Sequence, residues 1–178
     1  MPKIKRNDNK FNNIIKDLLS GDNQKILVAI KQLRISGKPE AIHPILDVYI
    51  ENNNAEIKQE ISSLLFDLKL EKAIDELIKA ISSKKYSEIK PFIISIFWQS
   101  GLDVSNHIDF LIKQAIKNDY LVCLEVLTVI ENFDATFNEE EINDLILDLE
   151  EAIEEDETEK QNLLLSLKAV LQQLNVDF

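Results

Sequence analysis

The chain of 178 residues carries one cysteine, one tryptophan, three glycines and four prolines. A lone thiol, Cys123, excludes an intrachain disulfide, a CxxC redox pair and a cysteine-built metal site, and it fits a reducing compartment. Three glycines are too few for a succession of hairpin turns, so strands are not expected. Long apolar runs are missing too: none approaches the ~18 residues that suggest a bilayer crossing. The first ten residues, Met1 to Lys10, are polar and basic with no apolar core behind them, unlike a secretory leader. A soluble, cytoplasmic protein without membrane partners is the expectation. Positive charge is also short, with 20 Lys and Arg against 32 Asp and Glu, a net charge of −12 that opposes nucleic-acid binding. Hydrophobic residues make up 45% of the chain, enough to exclude wholesale disorder and allow a sizeable core.

What is abundant is helical periodicity. Ile57, Ile61, Leu64, Leu65 and Leu68 recur at three- and four-residue steps, as do Leu163, Leu167, Val170, Leu171 and Leu174. Ten helices are predicted, at about 10–20, 23–36, 39–53, 55–69, 71–82, 86–100, 104–117, 119–132, 138–156 and 158–174. Each glycine follows a serine at the end of such a stretch (Ser20-Gly21, Ser36-Gly37, Ser100-Gly101), the place of a left-handed helix stop. Thr158 with Gln161 and Asn138 with Glu141 have capping-box spacing, and Pro39 suits a first helical turn. Residues 1–9 are expected as a loose basic tail before a single domain at 10–178.

The helices repeat in pairs. Phe11, Ile42, Ile74, Ile108 and Ile142 are 31, 32, 34 and 34 residues apart, and the slots three and four residues later are all aliphatic. In the alternate helices Ile26, Ile57, Ile89 and Val122 are 31, 32 and 33 apart, each followed four residues later by Ile30, Ile61, Ile93 or Val126. One helix pair cannot bury its apolar face alone, so stacked copies must share a core.

Residues 24–46 and 55–65 resemble HEAT repeats. Pro44 matches the proline in the opening half of that repeat's second helix, and Ile57-Lys58 and Ile89-Lys90 match its apolar-base pair. The likeness covers residues 10–132 and continues by periodicity alone; Val122 is followed by Cys123 instead of a base, and the turn Asn52-Asn53-Asn54 lacks the usual aspartate. The resemblance implies an all-α fold, an α/α superhelix (solenoid) of about five stacked antiparallel helix pairs. It also implies binding of macromolecules along a face formed by one helix of each pair.

Catalytic chemistry is thinly represented. His43 and His107 occupy different slots of the repeat and neither is followed by glutamate, unlike the iron sites of some HEAT-like enzymes. Phosphate-cradling glycine loops are absent, and Cys123 sits in the apolar run Leu121 to Leu124. No catalytic residue, cofactor or metal ligand is therefore assigned.

Charge is distributed unevenly. Residues 1–90 hold 16 bases and 13 acids, residues 91–178 hold 4 bases and 19 acids, and the 42 residues between Lys117 and Lys160 contain 16 acids and no base. In the helix at 138–156 the core stripe is Ile142, Leu145, Ile146, Leu149 and Ile153, and Asp144, Asp148, Glu151 and Glu155 form the opposite stripe. Like charges at these spacings cost helix stability, so the stripe is either a solvated face or a binding face for a basic partner. Asp109, one residue after Ile108 in the neighbouring helix, is expected beside it, with Lys113 and Lys117 limiting the field. On the helix at 86–100, Trp98 and Ile94 project away from Ile89, Ile93, Ile96 and Ser100. Trp98 is therefore either covered by an adjacent repeat or an exposed anchor. The functional expectation is a non-enzymatic protein-binding scaffold or adaptor, with Asp109, Asp144, Asp148, Glu151, Glu155 and Trp98 as partner-binding residues. A HEAT-like lyase or glycosylase, and a purely structural subunit of a larger assembly, are the alternatives.

Overall fold

A computed structural model describes the backbone of residues 3–177 and the side chains of residues 9–177. The chain divides into two units, Met1–Ile89 and Lys90–Phe178. The first holds α1 (Lys3–Leu18), α2 (Asn23–Ser36), α3 (Ile42–Glu51), α4 (Ala55–Phe66) and α5 (Ala73–Ser82). The second holds α6 (Lys90–Ser100), α7 (Ile108–Lys117), α8 (Tyr120–Glu131), α9 (Glu139–Glu155) and α10 (Lys160–Leu171). Of the expected loose tail, residues 1 and 2 lie outside the described residues, and α1 takes in the remainder from Lys3.

In the first unit α1 packs on α2 and α3, α2 on α4, and α3 on α4 and α5, so odd and even helices form two layers. In the second, α6 packs on α8, α8 on α7 and α10, and α9 on α7 and α10, which again alternates two layers. The repeated aliphatic slots supply the core between them. Ile42, Ile74, Ile108 and Ile142 are all buried, as are Ile26, Ile57 and Val122 of the alternate register. Ile89, which ends a 3-10 stretch instead of sitting inside a helix, is only half-buried.

Asparagine and aspartate start several of these helices. Asp22 accepts the Gln24 and Lys25 N–H groups, Asn54 those of Glu56 and Ile57, Asp119 that of Val122, and Asn138 that of Glu141. Thr158 and Gln161 do not form the expected capping box: the Asp156 carboxylate takes the Thr158 N–H, and Gln161 turns its amide to the Ile153 carbonyl. Pro39 opens a 3-10 turn, and Pro91 is the second residue of α6, where its missing N–H costs no hydrogen bond. The chain kinks before α6 at Tyr86, with φ −107° and ψ 18°.

Two of the three glycine stops hold. Gly21 and Gly101 have φ of 74° and 70°, whereas Gly37 is extended. What keeps Gly37 small is a close approach, since a Cβ there would lie 2.6 Å from the Leu33 carbonyl oxygen. The expectation of no strand also needs correction, because Thr136–Asn138 (β1) and Asn175–Asp177 (β2) pair in parallel, Phe137 opposite Val176. Parallel neighbours need a long crossover, supplied here by α9 and α10, and three-residue strands show no alternation to read in a sequence.

Candidate protein-binding surface

The acidic stripe of α9 depends on which face the core takes. Burial of Ile142, Leu145 and Leu149 against α7 and α10 turns Asp144, Asp148, Glu151 and Glu155 outward. Because α7 lies beside α9, Asp109 joins Asp144, Asp148 and Glu141 along one open groove of about 600 Å³. Farther along, Asp148, Glu151 and Glu155 face Lys113 and Lys117 of α7 across a second hollow. The structure thus brings together five of the six residues expected to bind a partner.

Compensating charge is sparse: Lys113 is taken up by Asp109 at the groove itself, and Lys117 is the one base of the second hollow without an ion pair among the described residues. Lys113 pairs with Asp109 at 2.7 Å, and that bond holds its ammonium above the ordinary lysine range. Lys168 pairs with Glu150 at 2.6 Å and Lys160 with Asp156 at 3.3 Å. The Lys90 ammonium donates to the side-chain oxygens of Gln114 and Asn118. Among the described residues, Asp144, Asp148, Glu151 and Glu155 form no direct ion pair, and Asp148 feels Lys113 only at longer range.

Leu147 adds an apolar contact point that the sequence reading passed over. It is 61% exposed and lines the groove, three residues after Asp144 and four before Glu151. The signal was present as a leucine outside the core stripe of α9.

Trp98 lies apart from this groove. Ile93, Ile94, Ser95, Ile96, Phe97 and Ser100 of α6 are buried, yet Trp98 is 38% exposed, so an adjacent repeat does not cover it fully. Its indole Nε1 donates to Glu125 Oε2 of α8 at 2.9 Å. The ring lines a separate hollow with Phe133, Asp103 and Asp134.

The groups with catalytic potential have structural partners. In the first unit, the Tyr86 hydroxyl donates to Asp47 at 2.7 Å, and burial together with that carboxylate pushes the phenol well above its usual range. His43 stands between the Tyr86 hydroxyl and Glu76, each at 3.3 Å. Burial pushes the Cys123 thiol up to about 11, away from the thiolate that nucleophilic chemistry requires. No three His, Cys, Asp or Glu side chains converge as metal ligands among the described residues, and among them no helix is long and apolar enough to cross a membrane.

The fold and this surface define an all-α protein with an acidic groove. The chain is matched by no family model, by no curated protein and by no solved structure.

Proposed function

We propose that this chain is a non-enzymatic protein-binding scaffold of HEAT-like helical repeats, working in the cytoplasm, whose α7–α9 groove receives a basic protein surface. The observation that carries the reading is the row of four carboxylates without an ion pair, Asp144, Asp148, Glu151 and Glu155, on one side of α9, the first two lining a groove with the exposed Leu147. A face needed only for solubility is served as well by mixed signs, which avoid the repulsion within α9. An apolar side chain beside carboxylates suits an interface in which charge guides approach and a desolvated contact holds the complex. A solenoid arrangement of the helix pairs agrees with the alternating layers inside each unit and with the paired registers of the sequence.

The test uses partners captured from the native cell by cross-linking and confirmed with purified proteins. Asp144, Asp148 and Glu151 are reversed to lysine, and association rates are measured at low and high salt. The expected result is an association rate that falls with salt and at least tenfold on reversal. A rate and salt dependence unchanged in the folded variant would leave the acidic groove as solvation only.

A further inference from the structure

The hollow beside Trp98 combines features that neither the core nor the acidic groove requires. Trp98, the only tryptophan of the chain, keeps 38% of its surface exposed, and its Nε1–H bond to Glu125 at 2.9 Å fixes the indole by its edge. Phe133 lines the same hollow, its ring centroid 5.9 Å from that of Phe137. Gly101 turns the chain at φ 70° on the rim, and no heavy atom lies within 4 Å of where a side chain would begin there. The hollow has a volume of about 310 Å³, more than an arginine side chain occupies.

Its charge has one sign. Asp103 and Asp134 are the only ionisable residues of the lining, and Glu125, outside it, accepts from the indole edge. The Ser105 backbone and hydroxyl groups hydrogen-bond Asp103 and hold its carboxyl below the ordinary range, so it is charged at neutral pH. Asp134 forms no hydrogen bond or ion pair among the described residues. No lysine or arginine lines the hollow.

Aromatic faces attract cations, and carboxylates beside them add direct pairing. Of the two basic side chains, the planar guanidinium both stacks on an indole and forms two parallel bonds to a carboxylate, whereas an ammonium is a compact, strongly hydrated point charge. We propose that the hollow formed by Trp98, Phe133, Asp103 and Asp134 is a binding site for a single arginine side chain presented by a peptide or protein. The guanidinium stacks against the indole and pairs with Asp134, while Asp103 supplies the second negative charge. The site is distinct from the α7–α9 groove and does not rest on the scaffold reading.

Because Trp98 is the sole tryptophan, its fluorescence reports the site directly. The full chain is titrated with the blocked peptide acetyl-Gly-Gly-Arg-Gly-Gly-amide, and with the same peptide carrying citrulline or lysine in place of arginine. The expected result is a saturable change with the arginine peptide and at least fivefold weaker binding of the citrulline and lysine peptides. Asp134→Asn, an exposed substitution, should weaken the arginine peptide by a similar factor and flatten its salt dependence. Phe133→Leu should weaken it without changing the salt dependence. A flat or linear response to the arginine peptide, equal binding of the citrulline or lysine peptide, or an Asp134→Asn protein that binds like the original would each overturn the assignment. None of these outcomes bears on Asp144, Asp148 or Glu151, so failure here leaves the groove reading standing.

Discussion

The Lys160 ammonium donates to the Ile116 main-chain carbonyl at 2.8 Å, reaching from the first residue of α10 to the carboxyl end of α7. It also donates to the Asn118 carbonyl at 3.0 Å and pairs with Asp156 at 3.3 Å, with only 13% of its side chain exposed. The first base after 42 residues without one is thus a helix cap: it satisfies carbonyls that a helix end leaves without partners and places positive charge at the negative end of the dipole. Replacing it by methionine keeps the aliphatic stem and removes the donors. Lys160→Met should lower stability by about 1–3 kcal/mol, the usual cost of leaving a buried polar group unpaired. Chemical denaturation followed by circular dichroism checks this, and a midpoint that does not move would mean that water replaces the ammonium without loss.

The repeat register makes a prediction in the first unit. Ile74 of α5 holds the slot that Ile42, Ile108 and Ile142 hold elsewhere, and it is 8% exposed. Truncation removes buried methyl groups and leaves a void that a two-layer packing closes only in part. Ile74→Ala should therefore cost about 2–5 kcal/mol, towards the lower end because the side chain retains some contact with water. Asp75→Ala, at the exposed neighbouring position, is the control and should shift the same denaturation midpoint far less.

The registers were legible because each slot combines aliphatic character with helical spacing, and most slots are buried on those two properties, Ile89 being an exception at the end of its 3-10 stretch. Asn138 was legible as a cap for a similar reason, since the bond from its side chain to the Glu141 N–H spans three residues of local chain. What was hidden depends on distant partners. The pairing of Phe137 with Val176 joins segments separated by two helices, and the indole of Trp98 is held at its edge by Glu125 of another helix. Gly37 looked like a left-handed stop, but its small size is set by the Leu33 carbonyl, a distance that no sequence pattern displays. The acidic side of α9 was readable from the wheel, as was Asp109 beside it. Leu147 was readable as a leucine off the core stripe, whereas the pairing of Lys113, Lys160 and Lys168 with Asp109, Asp156 and Glu150 was visible only once the helices were placed.

If the stripe on α9 is kept for binding at the expense of stability, relieving its charge should strengthen the fold. The carboxyl end of α9 is the place to look, because Glu154 and Glu155 fall in its last turn, where no base is present. Negative charge there opposes the helix dipole, which favours cations at this end by about 0.3–1 kcal/mol for a surface position. Glu155 also lies four residues after Glu151, a like-charge pair that costs a few tenths of a kcal/mol more. Reversing both effects gives roughly 0.5–1.5 kcal/mol at low salt, and Glu155→Lys should raise stability towards the lower end of that range, because Lys117 lines the same hollow. Glu155→Gln, which has nearly the same helix propensity as glutamate, should give about half of that. Both gains should shrink as salt is raised to about 0.5 M, where screening shortens the reach of surface charges. Thermal denaturation of the three proteins at two salt concentrations measures the effect, and a Glu155→Lys protein less stable than the original would mean that the carboxylate has a favourable partner.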